Sequence, residues 1–169
     1  METTTILNSK QIEQKTERIA YEIYENSFDE NILFIGGVKG NGFEFAERLI
    51  EKLIQIAGES YPHGIRLFEV SVNKSNPLNH SIDLSLADSE LENASIILVD
   101  DVINSGSTLL HATAKILQQN VKTIKTAILV NRTHRRFPIL ADYVGLDITT
   151  TLQDNIVVEF GDKECAYLV

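Results

Sequence analysis

Residues 96–113 read IILVDDVINSGSTLLHAT, and this stretch decides the fold. Ile96 to Val99 form a short continuous apolar run, the pattern of a strand buried on both faces of a parallel sheet. Two acids, Asp100 and Asp101, follow it directly. Asn104, Ser105, Gly106, Ser107 and Thr108 then make a small polar loop that can turn tightly and offer N–H groups and hydroxyls. Leu109, Leu110, Ala112, Ala114, Ile116 and Leu117 supply the apolar face of a helix. A polar loop at a helix N-terminus is an anion site, because unpaired N–H groups and the helix dipole both point outward. Two carboxylates just before such a loop repel a phosphate, unless they serve another part of the same ligand. A sugar phosphate resolves the conflict: hydroxyls on the acids, phosphate on the loop. The alternative is an ordinary strand-to-helix turn with a polar exposed end.

The flanking chain repeats the alternation. Residues 8–27 read as a helix, with Asn8 and Gln11 as a capping box and Ile12, Ile19, Ala20, Ile23 and Tyr24 at helical spacing. Ile32 to Ile35 make a short buried strand ending in Gly36 and Gly37. A second helix spans about Phe43 to Ala57, with Asn41 and Glu44 as its capping pair and Gly58 as its stop. Residues 64–72 alternate as a strand does, and Thr123 to Val130 form another. The stretch 73–88, rich in Asn, Ser and Asp, reads as a long flexible loop or lid. Beyond Val130 there is no convincing helix, and IVVEF and CAYLV form short strands around a GDK turn. Alternating strands and helices favour an α/β fold, a parallel sheet with right-handed crossovers. There is no internal repeat and no linker, so residues 1–169 form a single domain. Ligands of such sheets bind outside the carboxyl ends of the strands. Loops 36–42, 100–108 and 131–145 meet there and define the candidate site.

Composition narrows the partners. Fifteen Lys and Arg against 24 Asp and Glu give a net charge of −9, which removes the general electrostatic drive for nucleic-acid binding. One local exception is the basic run Arg132, Thr133, His134, Arg135, Arg136. No apolar run approaches the roughly 20 residues of a membrane span, and METTTILNSKQIEQ lacks the pattern of a signal peptide, so a cytoplasmic location is expected. A single cysteine, Cys165, fits a reducing compartment and reads as a packing residue.

VDDVINSGST, at Val99 to Thr108, resembles the phosphoribosyl-pyrophosphate motif of type I phosphoribosyltransferases: apolar strand, two acids, then a phosphate loop. GGVKGNG, followed by a helix containing FAERL, resembles the family's pyrophosphate loop. LVNRTHRRFPILADYVGLDITT is similar to the matching stretch of the PyrR type, the pyrimidine operon regulators with uracil phosphoribosyltransferase activity. The similarity covers roughly residues 8 to 160. It implies a three-layer Rossmann-like parallel sheet with a small C-terminal hood, the hood and base-recognition segment lying at about 131–155. It also implies roles. Asp100 and Asp101 would be the catalytic acids, accepting hydrogen bonds from the ribose hydroxyls. Adjacent strand residues face opposite ways, so both can do so only if the chain is already leaving the sheet. Asn104, Ser105, Gly106, Ser107 and Thr108 would hold the 5′-phosphate. Val38, Lys39 and Gly40 would offer backbone N–H groups to pyrophosphate. Asn131, Tyr143 and Val144 would bind the base, and the amide of Asn131 suits the mixed edge of uracil. The implied reaction displaces pyrophosphate from the anomeric carbon by a base nitrogen. Mg²⁺ would arrive with the phosphoribosyl pyrophosphate, without a direct protein ligand set, and self-association as a homodimer or higher oligomer is expected.

Three positions depart from the family pattern. Asn41 stands where PyrR-type chains have an Arg, Lys74 is the nearest cation in the flexible loop, and Asn104 replaces the acid of purine-specific relatives. The first two remove guanidinium groups, the best forks for phosphate oxygens. Two alternatives follow: an RNA-binding pyrimidine-operon regulator, which the net charge disfavours, and a non-catalytic phosphoribosyl-pyrophosphate sensor.

Overall fold

The computed structural model describes residues 4–58, 64–72, 81–150 and 154–169. Lys74 and the 73–80 part of the expected flexible loop lie outside the described residues. The chain begins with strand β1 (Thr4–Asn8) and helix α1 (Ser9–Ser27), then β2 (Leu33–Val38), α2 (Asn41–Ala57), β3 (Ile65–Val72) and β4 (Ile82–Leu84). It continues with β5 (Ser95–Ile103), α3 (Ser107–Ile116), β6 (Thr123–Arg132), β7 (Tyr143–Ile148), β8 (Ile156–Glu159) and β9 (Cys165–Leu168).

Six strands form the main sheet in the order β4-β3-β2-β5-β6-β7, parallel throughout except for β4, which runs antiparallel to β3. The apolar runs of β2, β5 and β6 occupy its centre and are buried on both faces, as the sequence pattern requires. On one face, Ile12, Ile19 and Ile23 of α1 and Phe45, Leu49 and Leu53 of α2 pack over Ile35, Ile97 and Val99. On the other, Leu109, Ala112 and Ile116 of α3 cover Ile96, Leu98 and Ile128. The result is helix, sheet, helix. Helix α1 starts at the expected box, Asn8 Oδ1 accepting from Gln11 N–H while Gln11 Oε1 accepts from Asn8 N–H; such a cap contributes about 1 kcal/mol.

The hood differs from the expected one. Residues 143–148, within the segment expected to form it, are instead the edge strand β7 of the main sheet. The small second sheet is β1-β9-β8, built from both chain ends, with β1 antiparallel to β9. The short apolar pattern YVGLDI is masked by its central glycine and acid, and TTILN carries too few apolar residues to be read as a strand. Within 73–88, Ile82–Leu84 pair with β3 instead of forming loop. Leu117, expected on the apolar face of α3, is 60% exposed, because the helix ends one residue earlier.

Candidate active site

Strand β5 does not stop at Val99; it carries Asp100 and Asp101 and ends at Ile103. The chain therefore does not leave the sheet at the acids, the condition under which adjacent strand residues could both serve the ribose, but the side-chain alternation breaks there. Ile97 and Val99 pack on the α1/α2 side, and Ile96 and Leu98 on the α3 side. Strict alternation would send Val102 to the α3 side. Instead Val102 packs with the α1/α2 core and Ile103 with the α3 core. The alternation slips by one residue at Asp100–Asp101, so the acids occupy a break in the pleat inside a continuing strand. The neighbouring strand shows the same slip, with Leu129 and Val130 both in the α1/α2 core.

Asp101 N–H donates to Asp100 Oδ1 at 3.0 Å. Asp100 is half-buried, and its pKa is held well above the usual carboxylate range, first by loss of solvent and then by the adjacent charge of Asp101. Beyond the acids, a cleft of about 110 Å³ is lined by Asp100, Asn104, Ser105, Gly106, Ser107 and Thr108, among others. Gly106 is the N-cap of α3 with φ +83°, the left-handed geometry that glycine adopts without a Cβ clash. Ser105 Oγ accepts from Ser107 N–H at 3.2 Å, fixing the turn. The loop 136–139 braces it from outside: Arg136 and Phe137 N–H donate to Ser105 O at 3.3 and 3.1 Å. Loops 100–108 and 131–145 thus meet as expected, and α2 brings the third loop alongside, since Gly42 lies against Asp100.

The pyrophosphate loop differs in detail. Helix α2 begins at Asn41 with Gly40 as N-cap, so the expected Asn41–Glu44 capping pair does not form. Asn41 Nδ2 donates instead to Val158 O at 2.7 Å and reaches Asp101 Oδ2 at 3.3 Å. Val38 is the last residue of β2, and Lys39 N–H donates to Val70 O at 2.9 Å. That N–H is not free for a ligand in this state. The Lys39 ammonium lies 3.3 Å from Glu69 Oε1 and is exposed, an ion pair weak enough to exchange for a phosphate.

The three base-binding candidates fall at two levels of the sheet, Asn131 level with Ile103 and the other two level with Val99 and Asp100. Asn131, next to the end of β6 and paired with Ile103, is 5% exposed. Its Nδ2 donates to Asp147 Oδ1 at 2.6 Å, while its Oδ1 is buried without a protein partner among the described residues. Tyr143 opens β7 at the level of Ala127, which pairs with Val99, and Val144 follows at the level of Ile128, which pairs with Asp100, so both lie level with the acids, two strands across the sheet. The Tyr143 ring is buried in the α1/α2 core, with the Lys125 ammonium 5.6 Å from the ring centroid. Val144 O accepts from the Arg18 guanidinium at 2.6 Å, which closes the outer edge of β7. None of the three candidates lines the cleft beyond the acids. The pairing of Asn41 with Val158 instead puts β8 beside the acids, a relation no local sequence signal announces because 117 residues separate the two.

Within the basic run 132–136, Arg132 is buried and Arg135 half-buried, while Thr133, His134 and Arg136 are exposed. Arg132 is buried and donates to Thr150 Oγ1 at 2.7 Å, the Arg135 guanidinium donates to Ile139 O, and Arg136 lies 6.0 Å from the Phe137 ring centroid.

Residues 2–164 match the phosphoribosyl transferase domain family. The chain belongs to that family. It is 32% identical over 162 residues to the bifunctional protein PyrR of Citrifermentans bemidjiense, covering 93% of this chain and 90% of that one. The bifunctional protein pyrR of Enterococcus faecalis is 35% identical over 154 residues, 88% and 85% of the two chains. Among solved structures, a hypoxanthine-guanine phosphoribosyltransferase from Bacillus anthracis superposes with a TM-score of 0.71 at 22% identity, covering 88% of this chain and 84% of that one. A hypoxanthine phosphoribosyltransferase from Trypanosoma cruzi reaches 0.76 at 18% identity, with 95% and 89% covered. The fold is that of the type I phosphoribosyltransferases, and the PyrR-like relatives carry the likeness in sequence. This phosphoribosyltransferase therefore transfers the 5-phosphoribosyl group of phosphoribosyl pyrophosphate to a nucleobase.

Proposed function

We propose that the acceptor is uracil, with Asn131 reading its edge. The observation that carries this is the buried Oδ1 of Asn131, left without a protein partner while Nδ2 is committed to Asp147. A buried acceptor without a donor costs on the order of 1–3 kcal/mol, and a ring N–H such as uracil N3–H removes that cost. In this reading Asp100 and Asp101 hold the ribose hydroxyls, and Asn104 to Thr108 hold the 5′-phosphate. Uracil N1 forms the new bond to the anomeric carbon, the bond to the pyrophosphate oxygen breaks, and the N1 proton is lost. No side chain attacks. The protein contributes alignment and the electrostatics of its loops.

Adjacent carboxylates are hard oxygen donors, compatible with Mg²⁺ that arrives on the diphosphate. Bound there, Mg²⁺ would offset the charge of the leaving pyrophosphate. Val38, Lys39 and Gly40 would take the pyrophosphate only after the Lys39 N–H leaves Val70 O, and Lys74 is the further cation we assign to it. We also place this enzyme in the cytoplasm, as a homo-oligomer; no helix among the described residues is long and apolar enough to cross a membrane.

The test is pyrophosphate release from phosphoribosyl pyrophosphate with uracil, hypoxanthine, guanine, adenine and orotate in turn. Uracil is expected to give the highest kcat/KM, and Asn131→Ala to lower it about tenfold, the 1.4 kcal/mol of one buried hydrogen bond. Preference for a purine would overturn the uracil assignment. Tight phosphoribosyl-pyrophosphate binding without turnover on any base would favour the sensor.

A further inference from the structure

Helix α2 is the spine on which the small sheet rests, and it grips that sheet at three heights. One turn along, the Phe45 ring stacks on Phe160 with centroids 6.4 Å apart and planes 9° from parallel. The Arg48 guanidinium lies 4.5 Å above the same Phe160 ring and pairs with Glu164. At the very start of the helix, Asn41 Nδ2 donates to the Val158 carbonyl at 2.7 Å. The lower two grips attach the sheet to the helix and touch neither acid. Asn41 alone of the three also reaches an acid, with Nδ2 3.3 Å from Asp101 Oδ2.

An amide nitrogen carries two hydrogens, so one side chain can serve both acceptors at once. A carboxylate in its place would face a carboxylate and a carbonyl with no donor. Asn41 is exposed, and so stands at the open side of the acids and not in the core. The guanidinium of PyrR-type chains is thus replaced here by a donor turned to the protein's own groups.

We propose that Asn41 is a positioning residue for phosphoribosyl transfer, fixing strand β8 relative to Asp101 so that a bound ribose and the incoming base are held in register. The inference rests on reading Asp101 as a ribose-binding acid. Asn41 need not touch the reacting atoms; it sets the distance between the acid and the strand beside it. A bimolecular displacement is sensitive to that distance, because an ångström of misplacement of the reacting atoms costs on the order of a hundredfold.

The experiment compares the full chain with Asn41→Ala, Asn41→Asp and Arg48→Ala in calorimetric titration with Mg²⁺–phosphoribosyl pyrophosphate alone, and in steady-state kinetics with the base that supports turnover. Asn41→Ala is expected to keep phosphoribosyl-pyrophosphate affinity within about threefold while kcat/KM for the base falls about tenfold or more, a loss of at least 1.4 kcal/mol. Asn41→Asp, which sets like charges together, is expected to fall further in both. Arg48→Ala should lower the melting temperature yet leave KM for the base within about threefold, since its grip lies away from the acids. Unchanged base kinetics in Asn41→Ala, or a loss no larger than that of Arg48→Ala, would overturn the positioning role. Failure of the unaltered chain to bind phosphoribosyl pyrophosphate would instead overturn the ribose role of Asp101, a separate result read before any variant is compared.

Discussion

Gly42, in the first turn of α2, lies so close to β5 that a Cβ built on it would stand 2.8 Å from Asp100 Oδ1 and 3.1 Å from Asp100 Cα. The acid cannot retreat, because it belongs to a central strand. Helix and acid are therefore locked together by the absence of one methyl group.

Gly42→Ala is predicted to be destabilising despite the better helix propensity of alanine. Propensity contributes about 1 kcal/mol in favour of alanine, whereas overpacking of this kind costs about 1–3 kcal/mol. The displaced Asp100 should also lower phosphoribosyl-pyrophosphate affinity about tenfold or more. Urea denaturation and calorimetric titration measure the two effects. A stabilised variant with unchanged affinity would show that the contact relaxes freely.

Gly106→Ala combines two penalties that a control can separate. A residue with a side chain at φ +83° is strained by roughly 1–2 kcal/mol, and the new Cβ would also stand 2.6 Å from Ile139 Cγ2. Gly58, at φ +53°, has nothing within 4 Å of a Cβ. Gly58→Ala should therefore show the strain alone, and Gly106→Ala a larger loss, part of it recovered by adding Ile139→Ala. Thermal unfolding of the three variants decides this. Equal losses at the two glycines would mean that the 136–139 brace does not constrain the phosphate loop.

The phosphate loop and the buried strands were legible because their signals are local. IILV can only be a doubly buried strand, and SGST before an amphipathic run can only be a turn into a helix. The capping box at Asn8 is equally local. What failed depends on partners far along the chain. Asn41 looks like a cap in sequence, but Val158 and Asp101 offer its amide better acceptors than the helix does. The pleat slip at Asp100–Asp101 is set by what Val99 and Val102 pack against, which alternation rules cannot foresee. Tyr143 is given a base role by the family resemblance, and the burial of its ring in the α1/α2 core depends on packing partners that the local sequence does not show.

Asp100→Asn should stabilise the fold and impair binding together. Burial and the Asp101 charge raise the native pKa of Asp100 above its unfolded value. Below the ordinary carboxylate range both states hold the proton, and the group has no effect on stability. As pH rises from there, the unfolded chain loses the proton first, so stability falls until the raised native value is passed and stays lowered above it. The amide does not titrate and removes this slope. Melting temperature at neutral pH should rise, by about 2–4 °C per kcal/mol relieved in a chain of this size, and converge with the unaltered chain in acid. Phosphoribosyl-pyrophosphate affinity should fall. A variant less stable at neutral pH would mean that Asp100 is held charged by contacts stronger than its desolvation.

Arg18 and Tyr143 provide the converse case, a pair whose loss should damage the fold without reaching the chemistry. Arg18 donates from one guanidinium nitrogen to Val144 O at 2.6 Å and to Gly145 O at 2.8 Å, and so seals the edge of the main sheet. Its side chain is 45% exposed, so its pairing with Glu22 adds little. Arg18→Ala is expected to cost about 1–2 kcal/mol through the two carbonyls left to solvent. Tyr143→Phe removes only a hydroxyl 3.4 Å from the Lys125 ammonium and should cost less than 1 kcal/mol. Neither variant should change KM for the base beyond about twofold, because β7 meets α1 and not the cleft at these residues. Steady-state kinetics beside urea denaturation distinguishes the outcomes. A large rise in base KM for Tyr143→Phe, at unchanged stability, would restore the tyrosine to the base site.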